Sequence, residues 1–262
     1  MLKKVASVAF AVIIAIAACG CSGLSGGTLK VGVRSDIINF GYYNETAEKY
    51  YGLEIDIANE MAERMGYKDV EFVTVTPDDR KEMLLNGKVD CIVATYTISD
   101  SRTENFDFSP AYYTDNMQIV VEDSSMIDDI NDLKNLNIGT MSGSSAAPLL
   151  TIKLYDMGLI TDKIVSESDT FIQLEGASIT KSPSYDELNA MLESGEIDAA
   201  CMDKCIAESY MNDDRHYLDT VIAEQEYGVA TQKDSELSEE VSKVIQEMLD
   251  DGTIDKLIDK WN

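Results

Sequence analysis

The chain has 262 residues, 45% of them hydrophobic and 26% charged, which excludes fibrous and disordered classes and allows one large domain or two modest ones. Its formal charge is −27, from 21 Lys and Arg against 48 Asp and Glu, so a nucleic-acid partner, which needs a basic footprint, is excluded. Five cysteines and one histidine are too few for a disulfide scaffold or a Cys/His zinc cluster, and neither a metal nor a cofactor is expected.

Met1-Leu2-Lys3-Lys4 is a short basic start, and Val5 to Ala18 is apolar apart from Ser7. This run is shorter than the ~20 residues of a membrane-spanning helix. It ends in Ile16-Ala17-Ala18-Cys19, small residues before a cysteine, and reads as a secretory signal peptide over residues 1–18. The Ala-Ala-Cys ending resembles the bacterial lipoprotein box, which implies an acylated Cys19 anchored in a lipid bilayer outside the cytoplasm. Cys21 is a second candidate with a poorer match. Residues 1–18 hold two lysines and no acid, so their removal takes the charge to −29. Ser22 to Gly27 completes a flexible tether over 19–27.

A strand is expected over 29–33, followed by Arg34. Leu53 to Met65 predicts an amphipathic helix: Ile57, Met61 and Met65 recur every four residues, Glu54 and Asp56 suit the first-turn dipole, and Gly66 ends it. A helix over 78–85 holds Arg80, and a strand over 89–94 includes Cys91 as a small buried hydrophobe. Further strands are expected over 136–140 and 197–202, the second ending at Asp203. Cys201 and Cys205 flank that acid and are read as free thiols, with a disulfide between them as the alternative. His216 falls in the polar run Asn212 to His216, which predicts a surface turn. Leu237, Val241, Val244, Ile245, Met248 and Leu249 form one helical stripe, and a last short helix runs to Trp261.

The chain repeats itself. Leu29 to Ser35 resembles Leu136 to Ser142, with Gly32 and Gly139 offset by 107; Met83 to Asp90 resembles Met191 to Asp198, with the two aspartates offset by 108. In each copy a helix stops at a glycine in the left-handed cap position and a strand follows. This predicts two α/β lobes of similar build with mostly parallel sheets. Ligands of such sheets sit beyond the carboxyl ends of the strands. That places Arg34, then Thr95, Thr97 and Arg102, then Ser142 to Ser145, then Asp203 around one cleft.

Gly52-Leu53-Glu54-Ile55-Asp56-Ile57-Ala58, Ala94-Thr95-Tyr96-Thr97-Ile98-Ser99-Asp100-Ser101-Arg102, Phe106-Asp107-Phe108-Ser109-Pro110-Ala111-Tyr112-Tyr113 and Asp198 to Asp203 resemble, in order, the polar amino-acid solute-binding proteins of bacterial ABC importers. The resemblance covers nearly all of residues 28–262 and departs around Gly158–Gly176, where the chain carries extra residues. It implies a type II periplasmic-binding-protein fold: lobe 1 over 28–115 and 224–262, lobe 2 over 116–223, joined by two crossing strands near Asn116–Val121 and Ala223–Ala230. The implied partners are a free L-amino acid and an ABC permease, and the implied state is a monomer. Arg102 matches the family contact for the α-carboxylate, a role that suits a planar guanidinium. Ser144 and Ser145 match positions at a helix N-terminus, Asp203 the acid for the α-ammonium, and Thr95 and Thr97 hydroxyl and backbone contacts. Surface pairing of Arg102 and simple helix capping by Ser144, Ser145 or Asp203 are the plainer alternatives.

Arg34 and Arg80 match basic positions of the glutamate- and aspartate-binding branch, and Tyr185 resembles an aromatic of its second lobe. A second carboxylate in a dry cleft needs a compensating charge, so an acidic amino acid is expected, with glutamine or another neutral polar amino acid as the alternative. Two further classes compete: an amino-acid-sensing ectodomain, and an enzyme resembling the cyclohexadienyl dehydratases of the same fold. No catalytic constellation can be built around the single His216, so no enzyme is expected.

Overall fold

The computed structural model describes residues 26–262; the expected signal peptide over 1–18, Cys19 and residues 20–25 of the expected tether lie outside the described residues. In chain order the elements are β1 (Thr28–Val33), β2 (Asp36–Ile37), β3 (Gly41–Asn44), β4 (Lys49–Tyr51), α1 (Leu53–Arg64), β5 (Asp69–Thr74), α2 (Arg80–Leu85), β6 (Cys91–Ile92), α3 (Asp100–Thr103), β7 (Phe106–Phe108) and β8 (Tyr113–Glu122). There follow β9 (Asn137–Met141), α4 (Ala146–Asp156), β10 (Ile164–Glu167), β11 (Phe171–Leu174), β12 (Ala177–Ser182), α5 (Tyr185–Ser194), β13 (Ala199–Asp203), α6 (Lys204–Ala207), β14 (Arg215–Tyr217), β15 (Ala223–Tyr227), β16 (Ala230–Gln232), α7 (Glu236–Asp250) and α8 (Thr253–Trp261).

Two sheets carry the architecture, which is α/β with the type II periplasmic-binding-protein layout. The first has five strands in the order β5-β1-β6-β16-β7, with β1 parallel to both β5 and β6. The second has eight, in the order β10-β11-β12-β9-β13-β8-β14, with β15 added against β8. In it β9 is parallel to both β12 and β13. The repeat in the sequence is therefore a repeat in space: β1 and β9 are interior strands, each flanked by two parallel neighbours. Their side chains follow that position. β9 is buried from Ile138 to Met141, as a strand covered on both faces requires, whereas β1 buries Leu29, Val31 and Val33 on one face and exposes Thr28 and Lys30 on the other.

Helices cover both sheets. Ile57, Ala58 and Met61 of α1 and Val241, Ile245 and Met248 of α7 share one apolar cluster with β1. Leu150 and Leu154 of α4 pack with Ile138, Ala199 and Cys201 on the second sheet. The repeated helices α2 and α5 both end at left-handed glycines, Gly87 at φ 64° and Gly195 at φ 72°, a conformation that costs glycine nothing. The C-terminal α8 is held to α1: Lys260 Nζ and Trp261 Nε1 both donate to Asp56 Oδ2 at 2.6 Å, and Arg64 Nη1 donates to Asp251 Oδ2 at 2.7 Å.

Several expectations change in detail. Residues 158–176 are not a bare insertion: they build the β10–β11 hairpin that extends the edge of the larger sheet. His216 is not in a surface turn. It lies in β14 opposite Val121, and its Nδ1 bonds Asp123 Oδ1 at 2.6 Å, which raises its pKa. Its neighbour Arg215 is buried and donates to Glu122 Oε1 at 2.7 Å and to the Tyr210 carbonyl at 2.6 Å. Cys91, Cys201 and Cys205 are all free and buried.

Candidate functional site

The carboxyl ends of these interior strands and their neighbours face one cleft. On the first sheet, Arg80 opens α2 and is only 3% exposed. Its Nη1 donates to the Ala94 carbonyl at 2.7 Å, and its guanidinium carbon stands 4.2 Å from the centroid of the Tyr96 ring. Arg102, in the short α3, donates from Nη1 to the Thr97 carbonyl at 2.8 Å and stands 4.4 Å from the same centroid. One aromatic ring thus serves two guanidinium groups as a cation–π partner. Among the described residues neither arginine has an acidic ion-pair partner, and Arg80 Nε is buried with no acceptor. Burial, with Arg102 and Arg34 nearby, pulls the pKa of Arg80 down to about 9, so it is still a cation at neutral pH. Burial also lowers that of Arg102.

Arg34 is equally buried but already engaged. Its Nε and Nη2 donate to the two carboxylate oxygens of Asp36 at 2.9 and 2.6 Å, a bidentate pair, and it stands 5.7 Å from the Tyr185 ring centroid. Tyr185 begins α5 and is itself buried.

Asp203 ends β13. Its Oδ2 accepts from Tyr227 Oη at 2.7 Å, while Oδ1 is buried without a partner. It makes no side-chain cap to α6. Desolvation, with Asp115 nearby, raises its pKa from 3.8 to about 6. A buried carboxylate oxygen with a free lone pair is a receptor for a cation.

The two serines differ. Ser144 Oγ turns back to the Met141 carbonyl at 2.7 Å and accepts from the Ala146 N–H at 3.2 Å, so it serves its own turn. Ser145 Oγ donates to Gln225 Oε1 at 3.0 Å. Thr97 Oγ1 donates to the same oxygen at 2.7 Å from the other sheet. Thr95 has a positive φ of 43°, uncommon for a residue with a β-carbon, and its N–H is held by Glu54 Oε1.

Glu54 was expected to be an ordinary first-turn acid. It is fully buried, and Oε1 also accepts from Tyr112 Oη at 2.6 Å. Desolvation raises its pKa, while those two hydrogen bonds and the Arg34 and Arg80 charges oppose the shift. Glu54, Tyr112, Gln225 and Tyr227 were not singled out by sequence reasoning. Their signal was faint: an acid one residue into an apolar helix, two tyrosines, and a glutamine between two glutamates.

Arg102 and Tyr96 line a cavity of about 320 Å³ together with Asp78 on the first sheet's side and Gly143 on the other. A larger groove of about 1030 Å³ runs from Ser142–Ser144 along α4 to the β10–β11 hairpin, beside rather than within the arginine cluster. Chemically, the cluster offers two cations lacking an ion-pair partner and one carboxylate oxygen lacking a donor, with Arg80 and Asp203 buried and Arg102 half-buried. A zwitterion fits that arrangement.

The family model for bacterial extracellular solute-binding proteins, family 3, matches residues 29–262. The chain is 29% identical to the ABC transporter glutamine-binding protein GlnH of Bacillus subtilis, over 99% of this chain and 97% of that one. It is 25% identical to the glutamate-binding protein GluB of Corynebacterium glutamicum, over 94% and 84%. Among solved structures, an ancestral arginine-binding protein bound to glutamine superposes with a TM-score of 0.73 at 30% identity, covering 90% of this chain and 97% of that one.

Proposed function

The chain belongs to family 3 of the bacterial extracellular solute-binding proteins, and from that premise we propose that it captures an acidic amino acid outside the cytoplasm and delivers it to an ABC permease. Support comes from the relatives' names, one an ABC transporter glutamine-binding protein and the other a glutamate-binding protein. The preference for glutamate or aspartate rests on one observation: Arg80 is buried, charged and without an acidic partner. In this reading Arg102 receives the α-carboxylate, Asp203 the α-ammonium and Arg80 the side-chain carboxylate. Thr95, Thr97, Ser144 and Ser145 shape the walls, and Tyr185 closes the side-chain end beside Arg34. The lobes are residues 28–115 with 224–262, and 116–223.

A neutral ligand such as glutamine is the second reading. It is favoured by the Arg34–Asp36 pair, which leaves one fewer free cation at the side-chain end. Thermal-shift screening of the purified protein against twenty amino acids separates these. A ligand at a thousandfold excess over Kd stabilises by roughly 4 kcal/mol. Glutamate and aspartate should lead; a glutamine optimum selects the second reading, and no response to any amino acid ends both. Recovery of each amino acid unchanged after incubation tests the non-enzymatic assignment.

Anchoring is part of the proposal. Cleavage after Ala18 and acylation of Cys19 would hold a monomeric binder at the outer face of the membrane through the 19–27 tether. Intact mass and N-terminal peptide mapping of protein from native membranes test it. A product with an unmodified Cys19 would discard it.

A further inference from the structure

Gln225 is fully buried on β15 and belongs to none of the ligand contacts assigned above. Its Oε1 accepts two hydroxyls, Thr97 Oγ1 at 2.7 Å and Ser145 Oγ at 3.0 Å. These come from opposite sides of the cleft: Thr97 follows β6 of the five-stranded sheet, and Ser145 precedes α4 on the eight-stranded one. A carbonyl oxygen has two lone pairs, so the acceptor end of this amide is full. The donor end is empty: Nε2 is buried with no acceptor among the described residues. A buried amide with two unused protons is strongly disfavoured, which points to a missing acceptor.

The neighbourhood says what that acceptor is. Arg102 donates to the carbonyl of Thr97, the residue whose hydroxyl reaches Gln225. Arg102 and the acceptor end of the Gln225 amide therefore meet at one residue. Thr97 is also fixed to β15 by backbone, through the Thr97–Tyr227 bridge and the Ile98 N–H bond to the Glu226 carbonyl at 2.8 Å. The Thr97 bond thus stays within one rigid unit. The Ser145 bond joins β15 to the turn that opens α4.

We propose that Gln225 is the point where both lobes and the ligand meet: its Oε1 latches the closed state through a hydroxyl from each side, and its Nε2 is a neutral donor to the ligand's α-carboxylate. The inference deepens the amino-acid-binding reading and rests on it. An α-carboxylate held by Arg102 fills the vacant donor end, and a bound ligand thereby stabilises the amide that holds Ser145.

The test is calorimetric titration of glutamate and glutamine into Gln225→Leu, Gln225→Glu, Ser145→Ala and the Gln225→Leu/Ser145→Ala double variant, with circular dichroism reporting the fold. Gln225→Leu should weaken both amino acids by the same factor, about tenfold. Gln225→Glu keeps the shared acceptor but turns the donor into a carboxylate, and should weaken both by about a hundredfold or more. Ser145→Ala should cost about threefold in the wild type and nothing further in Gln225→Leu. Wild-type affinity in Gln225→Glu, or losses that simply multiply in the double variant, would overturn the proposal. If both Gln225 variants fail to fold, Thr97→Val and Ser145→Ala probe the same oxygen, and unchanged affinity in both overturns it. If the wild type binds no amino acid, the ligand reading fails separately. The latch is then judged by scattering of ligand-free wild type and Ser145→Ala, where equal radii reject it.

Discussion

Ser142 Oγ donates to Asp78 Oδ1 at 3.0 Å, and this bond ties the loop after β9 to the loop before α2 across the cleft. Beside it, Gly143 is packed so closely that an added β-carbon would stand 2.5 Å from Asp78 Oδ1 and 2.6 Å from the Pro77 carbonyl carbon. Its φ of +66° is one that other residues adopt at a cost of roughly 1–2 kcal/mol. The strain acts whether the cleft is open or shut, whereas the collision acts only when it is shut. Gly143→Ala should therefore lower ligand-free stability slightly and lower affinity for every ligand by at least about tenfold, a loss of about 1.4 kcal/mol. Small-angle scattering should show the variant remaining extended at ligand concentrations that compact the wild type. Normal compaction would mean that the two loops do not need to meet.

The two unpaired arginines should separate by ligand. Removing one partner of a desolvated charge pair costs about 3–5 kcal/mol, a hundredfold or more in Kd. Arg80→Ala should impose that loss on glutamate and aspartate and much less on glutamine. Arg102→Ala should weaken all three alike, because each has an α-carboxylate. An unchanged glutamate-to-glutamine ratio in Arg80→Ala, measured by calorimetry, would transfer the assignment to a neutral ligand.

Asp203 predicts opposite pH trends for stability and binding. Its folded pKa is raised, from 3.8 to about 6, chiefly by burial. Its contribution to ligand-free stability is therefore fully present below pH about 4 and is lost as pH rises through about 6. Capture of an ammonium needs the charged form, so affinity should weaken by about tenfold between pH 7 and pH 5. Asp203→Asn should bind weakly with a flat profile over that range. A wild-type Kd that is constant from pH 7 to 5 would remove Asp203 from ammonium binding.

Glu54 supports the site without lining it. Glu54→Ala would strip the acceptor from the Thr95 N–H and Tyr112 Oη and leave both donors buried without a partner. The expected loss is about 3–5 kcal/mol by urea denaturation. Glu54→Gln keeps an acceptor for both donors and should lose distinctly less, within about 1–3 kcal/mol. Equal losses would mean that charge, rather than the hydrogen bonds that hold Thr95, is what Glu54 supplies.

What the sequence made legible was local. The interior strands β1 and β9, the helices α1 and α7 and the glycine stops at Gly87 and Gly195 announce themselves through apolar period and backbone chemistry within a few residues. Long-range pairing does not. Asn212 to His216 looks like a solvated turn because its composition is polar, yet Arg215 is buried against Glu122, 93 positions earlier. Glu54 looks like a dipole acid, and its burial depends on Thr95 and Tyr112, 41 and 58 positions away. Arg34 was read as free for a ligand although Asp36, two residues on, already holds it. In each case the deciding partner lies outside the window in which periodicity is read, or competes for the same charge as the ligand.

The pairing of β8 with β15 has a mechanical consequence. Tyr113 to Met117 lie opposite Tyr227 to Ala223, so the two passages between the sheets form one hydrogen-bonded ribbon rather than two independent linkers. Along β15, Gln225 and Tyr227 point inward and Glu224 and Glu226 outward. A slip of one residue would bury two glutamates and expose the glutamine and the tyrosine. The ribbon is thus locked in register, so any change in the angle between the two sheets must bend both passages together rather than slide one along the other.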